Sequence, residues 1–171
     1  MNKNFTKLCV VRPLKGAPMW LGDEMNRFQD FVSELPNCRV LDFLKRNNVA
    51  GRDPYELERE CMERSHLVIF LPECSSTIVG ALFTLRLECF KSSALVLASR
   101  DVHVSETITG LVKRNPGISL FERYGNLHSL MRDGIPLVEK ALDHFKPQID
   151  AMKKIEQKQR EQAEAEPIGT D

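Results

Sequence analysis

Apolar positions change their spacing several times along the chain, and each change marks an element. Lys7 to Leu14 is a short run rich in valine and leucine, the pattern of a strand. Met25, Phe28, Phe31 or Val32, and Leu35 then recur three or four residues apart, which predicts a helix over about 19–35. Arg39 to Leu44 predicts a second strand. Asp53, Pro54 and Glu56 have the chemistry of a helix start, with Asp53 as N-cap, proline in the first turn and Glu56 placed to close a capping box. The helix they open turns Leu57, Cys61 and Met62 inward and ends near Arg64.

Leu67 to Leu71 is apolar without interruption, as expected of a strand covered on both faces of a parallel sheet. A helix is predicted over about 77–91, with Ile78, Ala81, Leu82, Leu85 and Cys89 as its inner stripe. Ala94 to Ala98 predicts a fourth strand and residues 107–114 a shorter helix. Ile118 to Phe121, after the turn residues Asn115-Pro116-Gly117, predicts a fifth strand. Each crossover is long enough to hold a helix, and helical crossovers join parallel strands with right-handed connections. The expected fold is a single doubly wound α/β domain: a mainly five-stranded parallel sheet, flavodoxin-like or Rossmann-like, with a C-terminal helix.

After Gly134, the residues Val138, Leu142, Phe145, Ile149 and Met152 form a heptad-like seam. It has two readings: the last helix of the sheet packed on its face, or a surface for a homo-oligomer or a partner protein. Pro147 should kink or restart the helix. We expect an α/β domain over 1–146 and a helical extension over 147–171. Beyond Ile155 almost nothing is apolar, so that end reads as a solvated tail.

Composition narrows the function. The 24 Lys and Arg balance 24 Asp and Glu, which leaves no basic footprint for nucleic acid. No apolar run reaches the ~20 residues of a membrane span. The apolar run before Arg12 is too short for a signal peptide, so a cytoplasmic protein is expected. Five scattered cysteines without a CxxC pair argue against a zinc ribbon or redox pair, and neither metal nor cofactor is expected. Cys9, Cys61 and Cys89 lie on apolar faces. Cys74 sits at a strand end near a helix N-terminus, where a thiol ionises more readily, but no histidine neighbours it in sequence to serve as base.

In a parallel sheet the strands' carboxyl ends pool polar groups into a crevice. After the first strand, Arg12 can pair a phosphate or carboxylate and Gly16 lets backbone approach a ligand. Neither a G-x-G-x-x-G fingerprint nor a P-loop is present. After the third strand, Ser75, Ser76 and Thr77 can cap the next helix, whose N-terminal N–H groups make an anion site, and can hold a phosphate or ribose. Glu73 is the candidate catalytic residue, a carboxylate able to stabilise an oxocarbenium-like centre, attack it or activate water. Asp42, Asp101 and Glu122 are candidate second carboxylates, and Tyr55 and Tyr124 are candidates to stack on a base. Arg12, Gly16, Tyr55, Ser75, Ser76, Thr77 and Asp101 form the expected ligand-binding set. Each alone is an ordinary surface residue; their convergence on one edge is what points to function.

The segments SHLVIFLPE and STIVGALFTL, joined by a turn of small residues, resemble the nucleoside 2-deoxyribosyltransferase-like superfamily. They look most like its short relatives found beside bacterial retrons and other anti-phage systems. There the third strand runs into a P-E-S-x-G-S-like turn, and the next helix carries a glutamate in an E-L-G triplet. Pro72-Glu73-Cys74 and Ser76-Thr77 match that turn loosely, and the resemblance covers about residues 7–142, most strongly 65–98. Gly80 stands where the transferases carry their nucleophilic glutamate. The family's glycine before the Ser/Thr is replaced by Ser75 or Ser76. The resemblance implies a small-molecule nucleoside or nucleotide ligand. Two functions follow: an N-glycosidic-bond hydrolase in bacterial defence that uses Glu73, or a non-catalytic nucleotide sensor or partner-binding module that has lost the catalytic carboxylate. A flavodoxin-like redox role suits the topology but lacks the Ser/Thr phosphate loop after the first strand.

Overall fold

The computed structural model describes residues 4–12, 18–42, 51, 53–72 and 77–165, with residues 77 and 78 described for their backbone alone. Its strands are β1 (Thr6–Val11), β2 (Cys38–Val40), β3 (Leu67–Phe70), β4 (Ala94–Ser99) and β5 (Ser119–Tyr124). They form one sheet in the order β2-β1-β3-β4-β5, with every neighbouring pair parallel. The helices are α1 (Met19–Glu34), α2 (Pro54–Glu63), α3 (Thr77–Thr84), α4 (Glu106–Arg114), α5 (Leu130–His144) and α6 (Lys146–Ala165). The doubly wound parallel sheet with a C-terminal helix is therefore as expected.

Alternate strand residues point to opposite faces, and both faces are covered. Leu8, Val10, Ile69, Leu95 and Leu97 meet Met25 and Phe28 of α1 and Val138 and Phe145 of α5. Cys9, Val11, Val68, Phe70 and Val96 meet Met62 of α2, Leu82 and Phe83 of α3, and Ile108 and Leu111 of α4. Each such side chain, taken fully out of water, contributes about 1.5–3 kcal/mol. Asp53 caps α2 by accepting from the Tyr55 N–H at 2.9 Å, while Glu56 is exposed in the first turn.

Three local expectations are corrected. First, α5 begins at Leu130, ahead of Gly134, after a capping box between Asn126 and Ser129. Gly134 lies inside the helix because a Cβ there would meet Phe28 at 3.0 Å, Leu130 at 3.1 Å and Leu97 at 3.3 Å; its absence lets α5 lie close to α1 and β4. Second, α3 turns Val79, Leu82 and Phe83 inward and runs into a π-helical turn, Leu85–Cys89, that buries Arg86 and Leu87. Cys89, expected inside, is exposed, and so is Ala81. Third, the C-terminal seam is consumed within the chain: Val138 and Phe145 are fully buried, Ile149 is nearly so, and Leu142 packs on the same core layer, while Met152 is half-buried. These residues therefore offer no free docking stripe.

Pro147 falls in the first turn of α6, where a missing N–H costs nothing, so the helix restarts there. Residues 155–165, which the composition predicts as solvated tail, continue α6, and 166–171 lie outside the described residues. Lys7 Nζ of β1 donates to Glu156 at 2.7 Å and anchors this helix. Beside it, buried His66 accepts from the Lys7 N–H through Nδ1 at 3.0 Å and meets Glu156 through Nε2 at 3.2 Å. Among the described residues no helix is long and apolar enough to cross a membrane.

Arg86 is wholly buried yet well paired. Its Nη1 donates to the Met62 carbonyl at 2.7 Å, Nη2 to those of Ser65 at 3.0 Å and His66 at 3.3 Å, and Nε to that of Ser93 at 3.2 Å. Burial lowers its pKa to about 10, so it stays charged at neutral pH. Arg86→Met would strand four carbonyls and should cost about 3–5 kcal/mol in urea denaturation. Arg86→Lys should recover only part of it, because an ammonium lacks the planar fork. A loss below about 1 kcal/mol in the methionine variant would overturn this role.

Candidate functional site

The chain leaves β1 toward β2 on one side and reaches β3 on the other, so the switch point of the sheet lies between β1 and β3. In such sheets the crevice opens at the carboxyl ends of those strands. Arg12 follows β1, Asp42 follows β2 and Pro72 follows β3, while α1, α2 and α3 begin on the same edge.

Half-buried Arg12 lines a cavity of about 20 Å³ with Gln29 of α1, Asp42, and Glu58 and Cys61 of α2. That volume suits one water molecule. Buried Gln29 donates from Nε2 to Asp42 Oδ2 at 2.5 Å and so fixes that carboxylate. Tyr55, half-buried, lies one turn before Glu58 on the same side of α2. The structure thus groups Arg12, Asp42 and Tyr55 on the β1–β2 side of the edge. Asp101 stands apart, exposed beyond β4, where its backbone N–H donates to Ser99 Oγ at 3.1 Å. One strand, β3, lies between β4 and β1, so two strand spacings, roughly 10 Å, separate Asp101 from β1.

Two other expectations fail. Glu122 is paired with Lys140 of α5 at 2.6 Å, and Tyr124 is buried in the core layer under α1 and α5, closed to a stacking base. Gly16, Glu73, Cys74, Ser75, Ser76 and the Thr77 side chain lie outside the described residues. Gly80 is in the first turn of α3, and a Cβ built on it would meet nothing within 4 Å.

Sequence reasoning passed over Glu58. It is only 6% exposed, and its Oε2 has no hydrogen-bond partner among the described residues. Burial pushes its pKa up to about 7; Arg12 opposes the rise and Asp42 adds to it. A carboxyl group that exchanges its proton near neutrality beside a guanidinium, at the edge of a crevice, has the character of a functional group. The signal was present in the stripe Leu57, Cys61 and Met62, because position 58 lies one turn from the latter two and must share their direction. Cys9 and Cys61 behave as expected of core thiols: their mutual hydrogen bond and burial hold Cys9 well above its ordinary pKa.

No family model matches the chain, and no curated protein matches it. Among solved structures, the CMP N-glycosidase BcmB of Clostridium botulinum is similar, at 14% identity and a TM-score of 0.53, over 77% of this chain and 98% of that one. At that identity the likeness is one of fold.

Two predictions follow from the geometry. Glu58 holds its proton more tightly folded than unfolded, so the stability it supplies is complete below its ordinary pKa of 4.5 and is lost as pH rises through about 7. Glu58→Gln should remove that decline and be more stable than wild type above pH 7, by on the order of 2–3 kcal/mol in denaturant titrations; an unchanged pH profile would contradict the assignment. Gly80→Ala should stabilise the fold by about 0.5–1 kcal/mol, since the helix gains propensity and the methyl meets no neighbour. A lower melting temperature would show that the space is needed for something else.

Proposed function

We propose that the chain binds a nucleoside or nucleotide at the carboxyl edge of its sheet, between β1 and β3, and hydrolyses the N-glycosidic bond. The observation that carries this reading is the shared fold with a CMP N-glycosidase across nearly the whole of that protein. On this reading Glu73, next after Pro72 at the end of β3, is the principal carboxylate. It takes a proton from water as the water attacks the anomeric carbon; the carbon–nitrogen bond breaks, the base leaves with its electron pair and takes up a proton from solvent, and Glu73 returns its own proton to solvent. Ser75, Ser76 and Thr77 hold ribose or phosphate at the start of α3, Arg12 meets the phosphate, and Tyr55 lies toward the base. Gly16 gives the backbone close approach, and Asp101 serves the far rim. Loss of a nucleotide pool would suit a role in bacterial defence.

A second reading rests on Gly80. A chain without a carboxylate at that position can bind the ligand and report it without cleaving it. Both readings are tested by offering the purified protein CMP, other nucleoside monophosphates, nucleosides and NAD, with free base measured. We expect base release by wild type and at least about a 100-fold lower rate with Glu73→Gln. A ligand-dependent rise in melting temperature without base release selects the sensor. Neither base release nor a rise with any of these compounds refutes the nucleotide reading.

A further inference from the structure

We infer that Glu58 is a positioning residue for the ligand's phosphate. Carrying its proton, it leaves the Arg12 guanidinium available to the phosphate; without it, it draws Arg12 back into the cavity wall, and the phosphate loses its cation. This rests on the nucleotide reading above and goes beyond it by naming what governs phosphate recognition.

The argument starts from the cavity. Glu58 is more than nine-tenths buried, its Oε2 has no partner among the described residues, and it shares the wall with Arg12. Among the described residues, these groups share its cavity wall. Arg12 comes from the end of β1, Cys9 from β1 itself, Asp42 from the end of β2, neutral Gln29 from α1, and Cys61 from its own helix. Asp42 has its carboxylate fixed by Gln29 and is half-exposed, whereas Glu58 is buried. Two ionised carboxylates beside one guanidinium would leave an excess negative charge in a poorly hydrated wall, and such sites relieve it by protonating the more buried acid. The proton on Glu58 is exchanged near pH 7, within the range over which a cell's nucleotides are bound.

The opposing effect has a known sign. A phosphate monoester loses its second proton near pH 6, so a simple cationic site binds it more tightly as pH rises. A site whose cation is withdrawn by Glu58 does the reverse. A single linked proton changes affinity by at most about tenfold for each pH unit.

The test measures dissociation constants for CMP and for cytidine by calorimetry at pH 6 and pH 8, with every chain compared, the one that is wild type at position 58 included, also carrying Glu73→Gln so that the ligand is bound without being cleaved. Wild type should bind CMP about tenfold more weakly at pH 8 than at pH 6, with cytidine unchanged. Glu58→Gln, which keeps the shape of the side chain, should bind CMP at least as tightly at pH 8 as at pH 6. Arg12→Gln should reduce CMP to the affinity of cytidine at both values. If wild type binds CMP but follows the same pH trend as Glu58→Gln, the role of Glu58 is refuted while the nucleotide reading stands. If neither compound binds at either pH, this inference fails, and the nucleotide reading fails with it when the other monophosphates, nucleosides and NAD do not bind either.

Discussion

A guanidinium can be buried only if its nitrogens find acceptors, and Arg86 meets that condition with backbone carbonyls alone. The acceptors come from the end of α2, the connection into β3 and the residue before β4. One side chain therefore fixes how α2 hands over to the central strand and how β4 lies beside it. An arginine suits the position because its donors spread in a plane and reach carbonyls that approach from different directions. The π-helical turn at Leu85–Cys89 belongs to the same device, since Arg86 is among the residues that turn buries.

Everything Arg86 touches lies at the amino edge of the sheet. The second polar cluster there, Lys7, His66 and Glu156, is also satisfied within the chain and ties α6 to β1. Burial lowers the pKa of His66 while Glu156 opposes that shift, so the ring acts as a neutral bridge with Nδ1 accepting and Nε2 left to donate. The carboxyl edge differs. There a buried carboxyl group, Glu58, retains an oxygen without a partner. Ser93 Oγ before β4 and Gln148 Oε1 also lack a partner among the described residues, but of the three groups only the Glu58 carboxyl can ionise.

Much of this was legible in the sequence, for reasons particular residues make plain. The runs Leu67–Leu71 and Ala94–Ala98 are apolar on both faces, which only a covered parallel strand requires, and the Asp53-Pro54 cap marks a helix start that no competing element imitates. The predicted stripe of α3 follows apolar spacing alone, which does not register that Arg86 lies on the inner face. Val79, Phe83 and Leu87 are buried while Ala81 and Cys89 are exposed, and Arg86 is carried inward on the same face. Glu58 escapes the same apolar reading, because only Leu57, Cys61 and Met62 mark the inner face of α2. Tyr124 and Glu122 were assigned to the crevice from their position at a strand end, but position alone does not give direction: one points into the core and the other toward α5. The C-terminal seam was read correctly as apolar, and only the tertiary fold could show that the apolar stripe had its partner already.

On the proposed nucleotide reading, Gly80 would bear on the chemistry more than on the fold. Glycine inside a helix is costly, by about 1 kcal/mol relative to alanine, and is usually kept where a neighbour comes too close for a Cβ, as at Gly134. No neighbour comes close at Gly80, where a Cβ would meet nothing within 4 Å. Packing against the described residues therefore does not explain the residue. An enzyme that attacks the anomeric carbon through a carboxylate needs that group on a fixed element, close to the sugar. A helix that offers open space instead cannot form the covalent intermediate from that position. On the hydrolase reading, the attacking group is then water, and the carboxylate that activates it must come from elsewhere on the same edge. The inverting geometry, with water held between an acid and a base on opposite sides of the sugar, requires this spacing of roles. It predicts that the bond is cleaved in one displacement, with inversion at the anomeric carbon, and that no glycosyl-enzyme accumulates in mass spectra taken during turnover. A trapped adduct would move the nucleophile back onto the protein and remove the significance of Gly80.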